Sequence, residues 1–333
     1  MHAIALKNAF VQGAISLEKG PGWVRPWRIP VKERALYPSP DETLLGRAVC
    51  PAGVRVRFQT DSRTVGLRCT PAEGARRFDL TIDNRLVSTV GMPSGARDVV
   101  FPELPEGRKT VEIWLPLKQP VELRRLLLDP GVRCAPAPDR RFRWVTYGSS
   151  ITFCGAAHSP ARTWPAVVAR AMDWRLTALG FGGQCHIDPM FARLIRDLPA
   201  DFISLKLGIN VYGKGSLGPR SFRPAIIGMV KIIREKHPRT PIALISPIIT
   251  PSHETVPNMV GLTIAAMRDE VRDASERLIA CGDRHVRYFD GMKLFGPGMV
   301  AKEYLPDGVH PSADGYEALG RNFVRLIARK LPF

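Results

Sequence analysis

A serine, an aspartate and a histidine stand where they could perform nucleophilic catalysis together. Ser150 lies in the segment 147–152, and Asp307 precedes His310 by three residues. A serine hydroxyl is a poor nucleophile until a neighbouring base removes its proton, and a sharp turn after a strand can hold it exposed. A turn could bring the Asp307 carboxylate to the outward ring nitrogen of His310, fixing the tautomer and stabilising the imidazolium. The pattern indicates acyl-ester chemistry, with Ser150 as the nucleophile and His310 as the base.

Two further segments hold residues that could stabilise the negative charge formed in such a reaction. Gly183 ends the glycine-rich segment 179–183, and Asn210 ends the segment 207–210. The tetrahedral intermediate of acyl transfer needs hydrogen-bond donors for its oxyanion. The backbone N–H groups of Ser150 and Gly183 and the side chain of Asn210 could supply them. Replacement of Asn210 by alanine is therefore expected to damage turnover more than folding.

The elements around these residues are predicted to alternate between strands and helices. Residues 142–148 and 202–207 are apolar enough for buried strands, and residues 163–172 fit a helix. Further strands and amphipathic helices are expected at residues 222–233, 241–245, 264–278 and 286–289. A last helix is expected to follow Ser312 as its N-cap. This alternation predicts an α/β fold with a parallel sheet covered on both faces, and a site beyond the carboxyl ends of its strands.

The first part of the chain has a different pattern. From about residue 41 to 130 the sequence is typical of short strands, with apolar and polar residues alternating in segments such as 54–58 and 65–69. Asn84 fits a tight turn between two of these strands. Repeated short strands with proline and glycine turns predict an all-β sandwich.

A proline-rich segment, residues 134–139, separates the two patterns. Neither a strand nor a helix tolerates this composition well, so a domain boundary is expected there. We predict an N-terminal β-sandwich domain at residues 1–138 and a second domain at residues 139–333.

The four segments with candidate chemistry resemble, in order, the blocks of the SGNH, or GDSL, hydrolase superfamily over roughly residues 141–330. Their name-giving residues are Ser150, Gly183, Asn210 and His310. The resemblance implies a flavodoxin-like three-layer α/β/α domain that acts on esters through its serine. The strand-rich first half resembles a branch of the superfamily with a carbohydrate-module-like, jelly-roll-like sandwich, a branch that includes acyltransferases of antibiotic tailoring.

The sequence departs from the usual blocks at four positions. Ser149 replaces the aspartate that commonly precedes the nucleophile, and Val211 replaces a common aspartate after Asn210. Ala178 and Gly182 stand where asparagine and serine are frequent. These differences bear on hydrogen bonding near the nucleophile, and so on rate and substrate more than on reaction class.

Several neighbouring side chains are candidates for contacting the substrate. The possible pocket residues are Ile151, Phe153, His186 and Tyr212. A sugar-stacking platform on the first domain is a further possibility, weighed against burial of the same tryptophans, namely Trp23, Trp27 and Trp114. No metal or cofactor is expected, because the remaining histidines and the six cysteines lack paired ligand spacing.

Composition limits the partners and the location. The formal charge of +17 is spread over both halves without a basic block or nucleic-acid motif, which argues against nucleic-acid binding. The positive field could instead attract an anionic donor such as acyl-CoA or an acyl carrier protein. The most apolar run, residues 241–250, is about half the length needed to span a bilayer, so no membrane association is expected. Scattered cysteines and the absence of an evident signal peptide favour the cytoplasm.

Two enzymatic outcomes and one non-enzymatic one remain open from the sequence. An acyl-Ser150 intermediate could be hydrolysed by water, as in an esterase or deacetylase of a small-molecule or carbohydrate ester. It could also pass its acyl group to a sugar or metabolite hydroxyl. The alternative is a non-catalytic glycan- or protein-binding module with a retired SGNH domain, although the complete set of catalytic residue types argues against it.

Overall fold

The computed structural model describes residues 1–37 and 43–333, which form two compact units. The first unit comprises Met1–Arg141 together with His158–Arg162, and the second comprises Phe142–Ala157 and Thr163–Phe333. The short segment His158–Arg162 thus packs with the first unit, although its neighbours along the chain belong to the second. Residues 38–42 lie outside the described residues, and the last two of them, 41 and 42, belong to the range predicted as strands.

The first unit consists of two antiparallel sheets. Its strands are β1 (His2–Ala5), β2 (Val11–Gln12), β3 (Ser16–Gly20), β4 (Trp23–Trp27), β5 (Arg55–Thr60), β6 (Val65–Cys69), β7 (Arg76–Ile82), β8 (Arg85–Met92), β9 (Asp98–Phe101), β10 (Lys109–Trp114), β11 (Leu123–Leu128) and β12 (Cys134–Pro136). One sheet has the order β3-β4-β11-β6-β9, with β1 paired to β11, and the other has the order β12-β5-β10-β7-β8, with β2 paired to β5. A helix that the sequence did not predict, α1 (Thr43–Ala48), precedes β5.

Alternation along the strands explains how these sheets pack. Val56 and Phe58 of one sheet and Leu67 of the other are fully buried in a common core, as the predicted period of two requires. The turn between β7 and β8 places Asp83 and Asn84 at φ angles of 47° and 65°, the left-handed conformations of a two-residue hairpin turn. The predicted sandwich and the turn at Asn84 are therefore confirmed.

The second unit contains a five-stranded parallel sheet flanked by helices. Its elements are β13 (Arg143–Gly148), α2 (Ser150–Phe153), α3 (Trp164–Met172), β14 (Arg175–Gly180), α4 (Pro189–Asp197), β15 (Phe202–Lys206), α5 (Ile209–Lys214), α6 (Phe222–Arg234), β16 (Ile242–Ile245), α7 (Ile264–Ala280), β17 (Val286–Phe289), α8 (Gly291–Leu294), α9 (Pro297–Val300) and α10 (Ala313–Leu326). The strand order β14-β13-β15-β16-β17 is that of a flavodoxin-like sheet. The predicted fold class is confirmed.

Helices cover both faces of this sheet. Trp144 of β13 contacts Trp164 of α3 and Phe323 of α10, with ring centroids 5.7 and 5.1 Å apart. Tyr147 lies three residues along the same strand, hence on the opposite face, and contacts Phe191 of α4 at 5.2 Å. The sheet is therefore the middle layer of three, and its carboxyl edge is left to the loops that bear the candidate residues.

Candidate active site

Ser150 is the first residue of α2, directly after the sharp turn that ends β13. The Ser149 hydroxyl caps this helix by accepting a hydrogen bond from the Ile151 N–H at 3.2 Å, and Ser149 is only 1% exposed. A Cβ atom on Gly148 would lie 2.3 Å from the Thr152 hydroxyl oxygen and 3.2 Å from the Lys206 carbonyl oxygen, so the close approach of these residues favours glycine at this position. The neighbouring serine is thus occupied by capping, and the hydroxyl of Ser150 is left for chemistry.

Three side chains predicted to act together are joined by hydrogen bonds. The Ser150 Oγ lies 2.8 Å from His310 Nε2, and His310 Nδ1 lies 2.7 Å from Asp307 Oδ2. The other carboxylate oxygen, Oδ1, accepts the backbone N–H groups of His310 at 2.6 Å and Val309 at 2.9 Å. An ionised carboxylate only accepts, so Nδ1 carries the proton and Nε2 is the atom that can accept the serine proton.

These hydrogen bonds control the charge of Asp307. Partial burial favours the neutral carboxyl group, but hydrogen bonds from the backbone N–H and the ring of His310 and from the Val309 N–H outweigh it and lower the pKa of Asp307. The side chains of His310 and Asp307 remain 41% and 56% exposed. The acid and base partners are therefore reachable from solvent, while the carboxylate stays ionised at neutral pH.

The two other predicted oxyanion residues follow the strands on either side of β13. Gly148 is in register with Gly180 at the end of β14 and with Lys206 at the end of β15, so the loops bearing Gly183 and Asn210 begin at the same edge of the sheet as Ser150. This is the clustering that the alternation of strands and helices predicted.

Gly183 and Asn210 belong to one hydrogen-bonded arrangement. Gly183 adopts φ +75° in a turn closed by the Gln184 N–H and the Phe181 carbonyl at 3.1 Å. The Asn210 Oδ1 accepts the backbone N–H of Cys185 at 3.1 Å. Because an amide –NH2 cannot accept this hydrogen bond, the orientation of the Asn210 side chain is fixed, with its –NH2 group as the end left to donate.

The predicted pocket residues occupy different environments. Ile151 and Phe153 are 1% and 5% exposed, so their side chains pack in the interior and offer a ligand little surface. Tyr212 is 8% exposed and donates its hydroxyl to the Val256 carbonyl at 3.0 Å. His186 contacts the Gly183 carbonyl and the Ser216 hydroxyl, and so lies beside the predicted oxyanion residues.

The suggested tryptophan platform does not exist as a set. Trp27 and Trp114 are 8% and 1% exposed, and their indole N–H groups donate to Glu18 and Thr81 within the first unit. Trp23 is partly exposed, with the Arg25 guanidinium 4.9 Å from its ring centre. Burial, the commoner fate of tryptophan, thus applies to two of the three.

Lys206 is a charged residue near the site that the sequence analysis did not single out. It ends β15, four residues before Asn210, and only 4% of its surface is exposed. Burial lowers its pKa to about 8, and the thiols of Cys185 and Cys154 act in the opposite direction. Its position within the apolar run 202–207 was the available signal, because a lysine on a fully buried strand is exceptional.

Comparison with known proteins connects this geometry to a family. The model of the GDSL-like lipase/acylhydrolase family matches residues 142–328, and that of the SsfX3 N-terminal domain matches residues 10–124. A search of curated proteins found no match. Among the described residues, no helix is both long and apolar enough to cross a membrane.

Several solved structures are similar to this chain over both its first and its second unit. The salicylyl-acyltransferase SsfX3 from a tetracycline biosynthetic pathway is 35% identical, with a TM-score of 0.91, covering 99% of this chain and 98% of that one. A putative GDSL-like lipase from Bacteroides ovatus is 19% identical, with a TM-score of 0.77 and coverage of 98% and 97%. A family two carbohydrate esterase from Clostridium thermocellum, in complex with cellohexaose, is 15% identical, with a TM-score of 0.63 and coverage of 85% and 94%. The last two likenesses concern the fold.

The family match spans more than half of the 333 residues and includes Ser150, Gly183, Asn210 and His310. It thus covers the segments that the parallel sheet brings to one edge. The chain therefore belongs to the GDSL-like lipase/acylhydrolase family, carries an SsfX3-type N-terminal domain, and is an SGNH esterase or O-acyltransferase.

Proposed function

We propose that Ser150, His310 and Asp307 form the catalytic triad of this enzyme. The observation that carries the proposal is the 2.8 Å contact between Ser150 Oγ and His310 Nε2, which joins residues 160 positions apart and continues through the imidazole to Asp307. A nucleophile, a base and a group that orients the base, each within hydrogen-bonding distance of the next, are what acyl transfer needs. The backbone N–H groups of Ser150 and Gly183 and the –NH2 of Asn210 would form the oxyanion hole.

The reaction begins with attack of the Ser150 hydroxyl oxygen on the carbonyl carbon of an ester or thioester. The hydroxyl proton moves to His310 Nε2, and the oxyanion of the tetrahedral intermediate accepts hydrogen bonds from the three donors. Collapse of the intermediate breaks the bond to the leaving group, which takes the proton from His310. The product of this half-reaction is acyl-Ser150. An incoming hydroxyl then gives its proton to His310 Nε2 and attacks the acyl carbon. Collapse of this second intermediate breaks the bond to Ser150 Oγ, which takes the proton back from His310.

We infer that the second half-reaction transfers the acyl group to an alcohol of a small molecule or carbohydrate. The support is the likeness to the acyltransferase SsfX3, at 35% identity over 99% of this chain. Hydrolysis is the second candidate, favoured by the exposure of His310 and Asp307 to solvent, since water can reach an open base. Acyl-CoA or an acyl carrier protein, each anionic, suits the net charge of +17 as a donor.

The organisation proposed for the chain is a sandwich domain at residues 1–138 followed by the catalytic domain at 139–333. We also propose that the protein is located in the cytoplasm. The six cysteines, all within the described residues, are free thiols, which suits a reducing compartment.

The first test is intact-protein mass spectrometry after exposure to a fluorophosphonate. We expect one adduct on the wild type, none on Ser150→Ala, and strongly slowed labelling of His310→Ala. Ser149→Ala is the matched control: it removes the neighbouring hydroxyl and the helix cap but should still be labelled. An adduct that persists in Ser150→Ala, or that disappears only in Ser149→Ala, would contradict the assignment of the nucleophile.

A second experiment separates transfer from hydrolysis. Acyl-Ser150 formed from a p-nitrophenyl ester is allowed to partition between water and a panel of sugar and phenolic alcohols, and the products are quantified. Transfer predicts faster release of nitrophenol and accumulation of the new ester when a suitable alcohol is added. Release at the same rate with every alcohol, and free acid as the sole product, would make the enzyme an esterase.

A further inference from the structure

His186 makes two hydrogen bonds that connect separate loops at the catalytic edge of the sheet. Its Nε2 lies 3.0 Å from the Gly183 carbonyl oxygen, and its Nδ1 lies 2.7 Å from the Ser216 hydroxyl. A carbonyl oxygen only accepts, so Nε2 carries a proton and donates to Gly183. In the neutral ring Nδ1 then accepts from Ser216. Both nitrogen atoms are engaged, and neither is left to act as a second catalytic base.

The two partners of His186 belong to the segments that bear two of the proposed oxyanion donors. Gly183 supplies one donor itself. Ser216 directly follows Gly215, the C-cap residue of α5, and α5 carries Asn210 near its start. A further bond closes the same ring of contacts, because the Cys185 N–H donates to Asn210 Oδ1 at 3.1 Å. His186 and Cys185 therefore tie the two donor segments together at two points.

Gly183 needs such a constraint more than another residue would. Glycine reaches many backbone conformations at similar energy, so the direction of its N–H is poorly fixed by local sterics. Gly183 has φ +75°, and a Cβ atom added there would have no atom within 4 Å, so no packing contact restrains it on the side where a side chain would point. The Gly183 carbonyl belongs to the same peptide as the Gln184 N–H, and hydrogen bonds to His186 and to Phe181 hold this peptide at both ends. The Gly183 N–H belongs to the preceding peptide, so fixing the first peptide restricts the directions open to that N–H to those that rotation about φ of Gly183 allows.

A strained residue in the same loop indicates that its backbone is held firmly. Ile187 has φ +65° and is 4% exposed. A β-branched side chain rarely adopts this left-handed conformation, which persists only when the surrounding structure imposes it. Residues 183–187 are hereafter called the oxyanion loop. The loop contains Gly183, whose backbone is conformationally flexible, two residues that bond to the α5 segment, Cys185 and His186, and Ile187 in an unfavourable conformation.

We propose that His186 is a positioning residue that preorganises the oxyanion hole by linking the Gly183 carbonyl to Ser216. The proposal rests on the function proposed above for Gly183 and Asn210. His186 does not touch the reacting atoms. It holds the loop so that the Gly183 N–H and the Asn210 –NH2 converge on the oxyanion, a geometry in which small displacements are costly to rate.

The test compares His186→Ala and Ser216→Ala with the conservative variant His186→Gln, whose amide can donate to Gly183 and accept from Ser216. His285→Ala is the matched control, since His285 is partly buried at the opposite, amino-terminal edge of the sheet. For each variant kcat and KM are measured with a p-nitrophenyl ester, and Ki with a trifluoromethyl ketone, whose adduct with Ser150 places an oxyanion in the hole. Hydrogen exchange of the oxyanion-loop amides provides a readout that does not depend on activity.

We expect His186→Ala to lower kcat by about tenfold to 100-fold with little change in KM, and to weaken the ketone by a similar factor. Ser216→Ala should have a smaller effect in the same direction, and His186→Gln should recover most of the loss. Amide exchange in the oxyanion loop should accelerate in His186→Ala, while His285→Ala matches the wild type in all four measurements.

The possible negative results distinguish failure of the positioning role of His186 from failure of the proposed function. Unchanged kcat and ketone affinity in His186→Ala would overturn the positioning role, whatever its effect on thermal stability. Unchanged amide exchange would show that His186 does not hold the loop, even in an inactive protein. A wild type that neither turns over esters nor binds the ketone, with exchange still accelerated in His186→Ala, would overturn the proposed function and leave only a structural role for this contact.

Discussion

At the scale of single residues, Asp307 determines which nitrogen of His310 can accept a proton. Its Oδ2 faces Nδ1 at 2.7 Å, and its Oδ1 is held by two backbone N–H groups. In Asp307→Asn the side-chain oxygen can keep the backbone bonds, which leaves –NH2 facing Nδ1. The ring would then favour a proton on Nε2, the tautomer that cannot deprotonate Ser150.

We therefore expect Asp307→Asn to lower kcat by roughly 10²-fold to 10⁴-fold, the upper limit being typical of more buried triads. Steady-state kinetics with a p-nitrophenyl ester and the rate of fluorophosphonate labelling should fall together. Asp290→Asn is the control, because Asp290 also accepts a backbone N–H, from Met292 at 2.9 Å, and asparagine caps helices equally well. Labelling at the wild-type rate in Asp307→Asn would exclude its role in activating the serine.

The lowered pKa of Asp307 also predicts a pH dependence of stability. A carboxyl group whose pKa is lower in the folded than in the unfolded state stabilises the fold above the unfolded value of about 3.9, and this contribution is lost as the pH falls through the folded value. The difference in Tm between wild type and Asp307→Asn should therefore be constant from about pH 5 to 7 and shrink below about 3.9. Calorimetry over this range checks it; a difference that grows on acidification would contradict the sign.

Lys206 gives a prediction of the opposite kind, because its burial disfavours the charged form. Its pKa of about 8 lies below the unfolded value, so the unfolded state binds more protons between about pH 8 and 10.4 and stability rises with pH in that window. Lys206→Met should raise the free energy of unfolding at pH 7 by on the order of 3 kcal/mol, with a smaller gain near pH 10. Urea unfolding at both pH values tests this.

The exposed Lys231 of α6 is the control for that comparison, since its replacement by methionine should change stability by less than about 0.5 kcal/mol. Absence of any gain in Lys206→Met at pH 7 would mean that the buried ammonium is compensated. A gain in stability with a loss of kcat would instead indicate that the charge, although costly to the fold, assists the oxyanion.

At the scale of elements, replacing two glycines near the site distinguishes the effect of close packing from that of backbone conformation. A Cβ atom at Gly180 would lie 2.4 Å from the Phe153 nitrogen, so Gly180→Ala must push α2 away from β14. Gly183 has open space around such an atom but a φ of +75°. Gly180→Ala should cost about 1–3 kcal/mol and, by displacing Ser150, lower kcat at least about tenfold. Gly183→Ala should cost only about 1–2 kcal/mol of backbone strain.

Gly213→Ala completes the comparison, because Gly213 lies in α5 with no atom within 4 Å of an added Cβ. Alanine there should be neutral or stabilising by up to about 1 kcal/mol, through helix propensity. Denaturant unfolding with parallel measurement of kcat distinguishes the three variants. Equal stability losses in Gly180→Ala and Gly213→Ala would show that close packing of α2 on β14 does not matter.

The elements show what could be predicted from the sequence and why. Strand β6 and strand β17 have the predicted bounds, because unbroken apolar or alternating runs leave one interpretation. Helix α10 follows its predicted N-cap, with Ser312 Oγ accepting the Gly315 N–H at 3.2 Å. Helix α1 was missed because six residues are too few to show a period. Strand β4 was not predicted because it contains Pro26, and a proline within a run of residues argues against a strand.

The candidate site was predictable to the same degree as its elements. The segments that carry Ser150, Gly183, Asn210 and His310 could be located because each follows a strand or precedes a helix, and parallel strands bring such positions to one edge. The resemblance to the SGNH blocks then indicated which residue to choose in each segment. The contacts that hold the site together could not be predicted from the sequence. The bonds of His186, and the left-handed Ile187, depend on how loops meet in space, and no local pattern of residue types encodes that.

At the scale of the whole molecule, the excess of positive charge is a property that no single residue explains. The chain carries 48 lysine and arginine residues against 31 aspartate and glutamate residues, a net charge of +17. A field of this sign raises the local concentration of anions and their rate of association, and salt screens it over about 10 Å at 0.1 M. The charge should therefore act on the capture of an anionic donor and leave the chemistry at Ser150 unchanged.

The dependence of donor capture on salt also tests the donor class. With acyl-CoA as donor, kcat/KM should fall several-fold between about 50 and 500 mM salt, mainly through KM, because screening weakens long-range attraction. The p-nitrophenyl ester of the same acyl group is the matched control, since its neutral donor should show almost no dependence on salt. Equal salt dependence for both donors would assign the effect to the protein fold or to the acceptor. A CoA thioester that is not used at all would remove that donor and leave the acyl carrier protein to be tested in the same way.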